Sequence, residues 1–479
     1  METNRQEKSR FIFSGLPIGR MADGLRGYSV FLCGLSYLAM AFKGPVRLEG
    51  LVTVITVLTL LQCLPAISGI TRFACAGLFG LGSILLFASG ADVATWCSAV
   101  TQNGKILTLM MFVPMLSIPF TFPRYRRSLE HVLQGVVRSD GGLYLLTHLT
   151  SHLIGVIVNI ACVSITYYIL KTGIAGRNLD MLARATARGY TTTCFWSPNS
   201  GALGLVLGYW GGNLVDVIPV GLPLAAVALA LGWVENRLWG MREEEHGKAV
   251  SPGNSGAAKH AGSPEVYRDF CWLVIAVILL LCLVVFLDWA TPLGILTIVP
   301  LMSLIYPFIW AVLAGETRTQ WIHFKNFLSG GLPRMSNEVV IFLGAGFFAV
   351  AAGKSGAVQY LTRVFSGVSD SPVLLTAVII LIVVGLSLVG FHPVLTTTSI
   401  VASFTPQSLG LPAALLSVVV VTGWGLAVTC SPFSACSLSL SNMTGNDPFT
   451  VGVRWQLRFT LLLFLVALVY FHFVLLAFF

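Results

Sequence analysis

Charge is what this chain has least of. Only 10% of its 479 residues are Asp, Glu, Lys or Arg, against 56% hydrophobic, and the mean hydropathy is +0.83. Soluble globular domains carry about a quarter charged residues, so that class is excluded. The period-two alternation of a membrane β-barrel is also missing, whereas apolar blocks of helix-spanning length recur. The ten cysteines include no C-x-x-C pair, and no His cluster stands at metal spacing, which argues against redox or zinc chemistry. Cys33, Cys63, Cys75, Cys162 and Cys282 fall inside apolar blocks and read as small buried residues. The net charge of +9 is spread over short loops and span ends. It forms no basic patch for nucleic acid, and instead resembles the charge bias that orients membrane proteins. Residues 1–27 lack the apolar core and cleavage site of a signal peptide, so the expectation is a cytoplasmic N-terminal segment.

What is present is a series of apolar blocks, first 28–42, 50–69, 73–91 and 106–121, closed by the basic FPRYRRSLEH. Residues 143–170 follow. They are too long for one span and are flanked on both sides by basic residues, the later ones being Lys171, Arg177, Arg184 and Arg188. A re-entrant hairpin turning near Gly155 to Asn159 satisfies that pattern, with a long tilted helix as the alternative. Spans at 190–209 and 214–234 complete a first half. Residues 235–268, with five acidic and five basic residues around SPGNSGAAKHAGS, read as a cytoplasmic linker.

The second half repeats the plan with spans 269–288, 292–313 and 337–352, a second hairpin at 372–402 turning at Gly390, His392 and Pro393, and spans 411–430 and 454–479. The expected fold is therefore an all-α polytopic membrane protein. It has about eleven transmembrane helices plus two re-entrant hairpins in an inverted repeat: 28–234 with six spans and 269–479 with five. The bacterial inner membrane is the expected location.

Each half carries one phrase of the same wording. Residues 193–202 read TCFWSPNSGA and 429–435 read TCSPFSA. A Ser-Pro pair in mid-membrane breaks the helix and frees backbone groups that need protein or a cavity around them. Paired breaks in corresponding positions point to a transporter's binding site. Asn159 precedes Ser197 by 38 residues, and Pro393 precedes Ser431 by 38, which suggests matching hairpin tips.

With two hairpins each followed by a broken span, the chain resembles the ion transporter superfamily and, within it, the divalent-anion/sodium symporters. In place of that family's Ser-Asn-Thr signature at the hairpin tips stand Asn159 and Ser164 in the first, and GFHPVLTTT, with His392, Thr396, Thr397 and Thr398, in the second. The resemblance implies elevator-type movement, Na⁺ coupling and a homodimer.

The candidate substrate-binding residues are Ser197, Asn199, Ser200, His392, Thr396, Thr397, Ser431 and Ser434; the candidate cation-coupling residues are Asn159, Ser164, Ser197, Asn199, Thr398 and Ser431. Hydroxyls and amides supply oxygen ligands for Na⁺ and donors for an oxyanion, and half-helix N-termini favour anions. His392, costly in an apolar run, could couple a proton or hold the anion. His148 and His152, one turn apart, are expected to stabilise the first hairpin; Trp196, Tyr209 and Trp210 line a pocket or anchor at the interface. No intramembrane Arg is expected, Arg454 being the one basic candidate near a break. The expected function is secondary active transport of a small anion, an organic acid by preference, coupled to Na⁺ or H⁺, with the cation at the first break and no cofactor beyond Na⁺. The alternatives are a Na⁺/H⁺ antiporter and, from another class, an integral-membrane acyl or glycosyl transferase using His152 or His392.

Overall fold

The computed structural model describes residues 17–42, 48–67, 69–136, 140–172, 179–240, 264–356 and 371–478. Among them there is no strand, and ten helices are long and apolar enough to cross a membrane. The chain is an all-helical polytopic membrane protein. The first half contains α1 (Pro17–Ala41), α2 (Leu48–Cys63), α3 (Ile70–Ala88), α4 (Val93–Thr101), α5 (Gly104–Phe112), α6 (Pro123–Val136), α7 (Asp140–Val158), α8 (Ala161–Thr172), α9 (Leu179–Thr193), α10 (Gly201–Trp210) and α11 (Leu214–Glu235). The second contains α12 (Pro264–Ala290), α13 (Ile295–Ala314), α14 (Thr317–Asn326), α15 (Ser336–Lys354), α16 (Pro372–Leu388), α17 (Pro393–Ser403), α18 (Ala413–Cys430), α19 (Ala435–Thr444) and α20 (Trp455–Phe478).

Apolar side chains face outward on the long helices, as Phe73, Phe87, Leu279 and Phe473 do, while threonines, serines and asparagines are buried inside. Where the surrounding solvent is hydrocarbon, exposed Leu and Phe cost nothing, and polar groups gather where protein can bond them. Cys282 follows the outer pattern and is exposed, contrary to the expectation of burial.

Both hairpins turn on a left-handed residue. Asn159 has φ 53° and Gly390 φ 108°, conformations that Asn tolerates and Gly adopts freely. Chain reversal at the first is fixed by Ser151 Oγ lying 3.7 Å from Cys162 Sγ, eleven residues later. The equivalence of the two turns differs from the 38-residue match read in the sequence. Asn159 corresponds to Gly390, 41 residues ahead of Ser431, because each stands three residues after the carbonyl that its break bonds. In the second hairpin the segment Phe391–His392 intervenes between the turn and α17, whereas only Ile160 separates Asn159 from α8.

The two broken helices run antiparallel against each other. Thr191 Oγ1 of α9 meets Thr429 Oγ1 of α18. A Cβ on Gly425 would fall 3.2 Å from the Thr191 carbonyl and 2.9 Å from the Phe195 ring. Rising numbers on one element therefore match falling numbers on the other, the relation an inverted repeat requires.

Other boundaries move. Residues 93–121 form one candidate span, broken between α4 and α5 and continued as a 3₁₀ stretch from Val113 to Thr121, rather than starting at 106. FPRYRRSLEH is largely the amphipathic helix α6, not a loop. The linker read at 235–268 loses both ends: Glu235 closes α11 in the protein interior, and residues 264–268 belong to α12. Its centre, 241–263, lies outside the described residues, as do residues 1–16 of the N-terminal segment.

Candidate functional site

The phrase Ser-Pro-x-Ser folds by the same hydrogen bonds in both halves. Proline lacks an N–H and pushes the preceding serine to extended backbone, so the helix stops there; Ser431 has φ −79° and ψ 130°. The serine N–H still bonds back into the helix, Ser197 to Thr193 and Ser431 to Ala427. Its hydroxyl accepts the N–H two residues on, from Asn199 at 3.1 Å and Phe433 at 3.2 Å. The second serine caps the next half-helix: Ser200 accepts from Leu203 N–H, and Ser434 from Ser437 N–H at 3.1 Å. The half-helices so begun, α10 and α19, are each ten residues long.

The first serine also ties the break to its hairpin. Ser197 Oγ donates to the Val156 carbonyl at 2.8 Å, and Ser431 Oγ to the Ser387 carbonyl at 2.7 Å. These are carbonyls at the C-terminal end of each hairpin's first arm, where a helix runs out of its own i+4 donors; that of Ser387 also accepts the Gly390 N–H at 3.1 Å.

The breaks then diverge at the third residue. In the first, Asn199 Nδ2 donates to the carbonyls of Val156 at 2.8 Å and Ile157 at 3.0 Å. Asn159 Nδ2 donates to the Asn199 carbonyl at 2.9 Å, and Tyr190 OH donates to Asn159 Oδ1 at 2.8 Å. This region is closely bonded, with Asn199 Oδ1 a buried acceptor left over among the described residues. Ser164, half-buried on α8, takes no part in these bonds.

In the second break the third residue is Phe433, 47% exposed, whose side chain has no amide to bond across as Asn199 does. A cavity of about 50 Å³ remains, lined by Thr71, Ser387, Gly390, His392, Ser431 and Ser434 among others. Two helix N-termini meet there, that of α17, capped by His392, and that of α19, capped by Ser434. Each carries about half a positive charge in unsatisfied N–H groups, so their convergence favours an anion. His392 Nδ1 accepts the Val394 N–H at 3.1 Å, which leaves the proton of the neutral ring on Nε2. The ring packs against Trp424 and Phe342 at centroid distances of 6.1 and 6.4 Å.

The structure thus brings Asn159, Ser197, Asn199 and Ser200 together at one break, and His392, Ser431 and Ser434 at the other. Thr396, Thr397 and Thr398 follow on α17, all buried, their hydroxyls without partners among the described residues. Tyr209 and Trp210 tie elements together. Tyr209 OH donates to Asn103 Oδ1 at 3.0 Å, and Trp210 Nε1 donates to the Phe404 carbonyl at 2.7 Å. His152 Nδ1 lies 2.7 Å from Thr192 Oγ1, pinning α7 to α9, while the His148 ring packs against the face of Gly232. No group of three His, Cys, Asp or Glu that could hold a metal is found among the described residues.

One polar cluster has no counterpart in the sequence reading. Arg188, read above as one of the basic residues that flank the first hairpin, lies inside α9 with 1% exposure. It pairs with Glu235 at 2.6 Å and donates to Tyr144 OH and Gln456 Oε1, each at 3.0 Å, with Phe459 beneath the guanidinium at 4.9 Å. A buried arginine therefore stands on the helix that leads into the first break, and Arg454 is not the only basic residue to consider there. The available signal was its i, i+4 spacing from Arg184 on a helix that continues directly into the first break.

No protein-family model matches the chain, and no curated protein matches it in sequence. Among solved structures the fold is similar to the crystal structure of the Alcanivorax borkumensis YdaH transporter, described as having an unusual topology. The TM-score is 0.55 at 14% identity, covering 84% of this chain and 96% of that one. At that identity the likeness is one of fold, and it agrees with an all-helical polytopic membrane protein.

Proposed function

We propose that the protein is a secondary active transporter of a small anion, an organic acid by preference, coupled to Na⁺ or H⁺. The observation that carries this reading is the second break, where two helix N-termini and the side chains of His392, Ser431 and Ser434 surround a cavity the size of a carboxylate group. A likeness of fold to a transporter supports it. The serine-to-carbonyl bonds between each break and its hairpin join the two into one unit, which suits an elevator-type movement in which hairpin and broken helix travel together. At the first break the spare Asn199 Oδ1 is the candidate cation ligand, and on α17 Thr397 and Thr398 carry hydroxyl oxygens without partners among the described residues.

Reconstitution into proteoliposomes tests the reading. Uptake of labelled organic anions is expected to depend on an imposed Na⁺ or proton gradient and to be lost in Ser431→Ala, Ser197→Ala and His392→Ala variants that still insert normally. Undiminished uptake in all three would refute the site.

A further inference from the structure

Next to the small polar cavity at the second break lies a larger one of about 440 Å³, lined by Phe73, Leu78, Phe348, Leu386, Leu395 and Thr396 among others. The two share Ala74 and Phe391 in their linings, so they are neighbours. Their chemistries differ. The small cavity is set about with hydroxyls, an imidazole and two helix N-termini; the large one is almost wholly hydrocarbon. For scale, a cavity of about 150 Å³ lined by Leu, Ile and Phe holds a benzene ring, so the chamber has room for an aromatic ring or a short acyl chain.

We infer that the substrate is an amphipathic monoanion, a carboxylate or similar oxyanion bearing an apolar tail, with its head at His392, Ser431 and Ser434 and its tail in the chamber between α3 and the second hairpin. This rests on the anion reading above and narrows it to a substrate class. Beyond the shared lining of the two cavities, the observation that favours a substrate over a lipid chain is Thr396. It stands four residues after His392, on the same side of α17, is only 4% exposed and lines the chamber, while its hydroxyl oxygen is buried and unpartnered among the described residues. A hydroxyl buried without a bond is costly, and turning it about χ1 toward a polar atom of a bound substrate near its head would relieve that cost. A chamber for lipid tails alone has no use for it. The rim residues Phe73 and Leu81 are 79% and 57% exposed, so the chamber opens sideways toward the apolar belt of the protein.

The test uses the full-length protein in lipid nanodiscs, with acetate, butyrate, hexanoate and benzoate as probes and empty nanodiscs as the partition control. Affinity is expected to rise about fourfold for each CH₂ buried, the equivalent of ~0.8 kcal/mol. Gly77→Leu fills the chamber from a position where an added Cβ meets nothing within 4 Å, and Leu81→Trp narrows its rim. Both variants should keep acetate affinity within about twofold while losing tenfold or more for hexanoate and benzoate, at unchanged melting temperature. If acetate binds but affinity is flat along the series, the amphipathic inference falls and the anion reading stands. If no anion binds the wild type, both fall. If the variants lose bound phospholipid, counted by mass spectrometry, and retain full hexanoate affinity, the chamber belongs to lipid and the inference is overturned.

Discussion

The two Ser-Pro-x-Ser breaks share a backbone and differ in one side chain. In both, a serine hydroxyl holds a hairpin carbonyl and a second serine caps a ten-residue half-helix. At the first, Asn199 crosses to two carbonyls and Asn159 answers it, so polar groups of the protein satisfy one another. At the second, Phe433 stands aside and His392 enters, and the N-termini face a cavity. One repeat thus yields a bonded joint and an open site. Duplicated backbone geometry supplies the electrostatics, and the residue between proline and the capping serine determines whether protein or ligand uses them.

The largest effect expected from breaking this contrast lies on the closed side. Arg188 holds the helix leading into the first break, and its pair with Glu235 is buried on both partners, with side-chain exposures of 1% and 6%. Removing one member strands the other charge, at a cost of about 3–5 kcal/mol. Glu235→Ala should therefore lower the unfolding temperature markedly, in a thermal melt of the purified protein, and Arg188→Ala should do the same; a melt within a degree of wild type would show that the joint does not depend on the pair. Next comes Asn199→Ala, which leaves the Ile157 carbonyl without its side-chain donor and Val156 with Ser197 alone, and should cost about 1–3 kcal/mol. Phe433→Ala, at the exposed equivalent position, should cost well under 1 kcal/mol by the same measurement.

How much of this contrast the sequence discloses depends on how local each signal is. The breaks are legible because Ser-Pro stops a helix through its own covalent chemistry, and the hairpins are legible because Asn159 and Gly390 can turn left-handed without strain. The register between the hairpins is not. Matching Asn159 to Pro393 gives equal spacing, yet the bonded carbonyls of Val156 and Ser387 set Gly390 as the counterpart, and that requires contacts 41 and 44 residues apart. Arg188 was hidden for the same reason. Its partners Tyr144, Glu235 and Gln456 lie 44, 47 and 268 residues away, and without them a basic residue near a span end reads as a marker of orientation. The 440 Å³ chamber is equally silent in sequence, since its lining is drawn from helices hundreds of residues apart and, Thr396 and Ser399 aside, consists of ordinary apolar residues and one glycine.

Two smaller substitutions sharpen the comparison. Phe433→Asn copies the first break into the second, where the new amide can reach the Ser387 carbonyl as Asn199 reaches Val156. It should gain up to about 1 kcal/mol of stability from the new bond while weakening anion binding tenfold or more, read as the loss of ligand-induced thermal stabilisation. Thr398→Val removes a buried hydroxyl that makes no bond among the described residues, so in cation-free buffer it should be neutral or stabilising by less than about 1 kcal/mol. If Thr398 ligates the coupling ion, the same variant loses Na⁺-dependent stabilisation; a variant that keeps it frees Thr398 of that role.

The central claim, that the second break holds the anion and the first is a bonded joint, is tested most directly by anomalous diffraction from crystals grown with 4-bromobenzoate. The account predicts a bromine peak in the chamber among Leu78, Leu386 and Leu395, with carboxylate density against His392 and Ser434. A peak at Asn159 and Asn199 instead would contradict it.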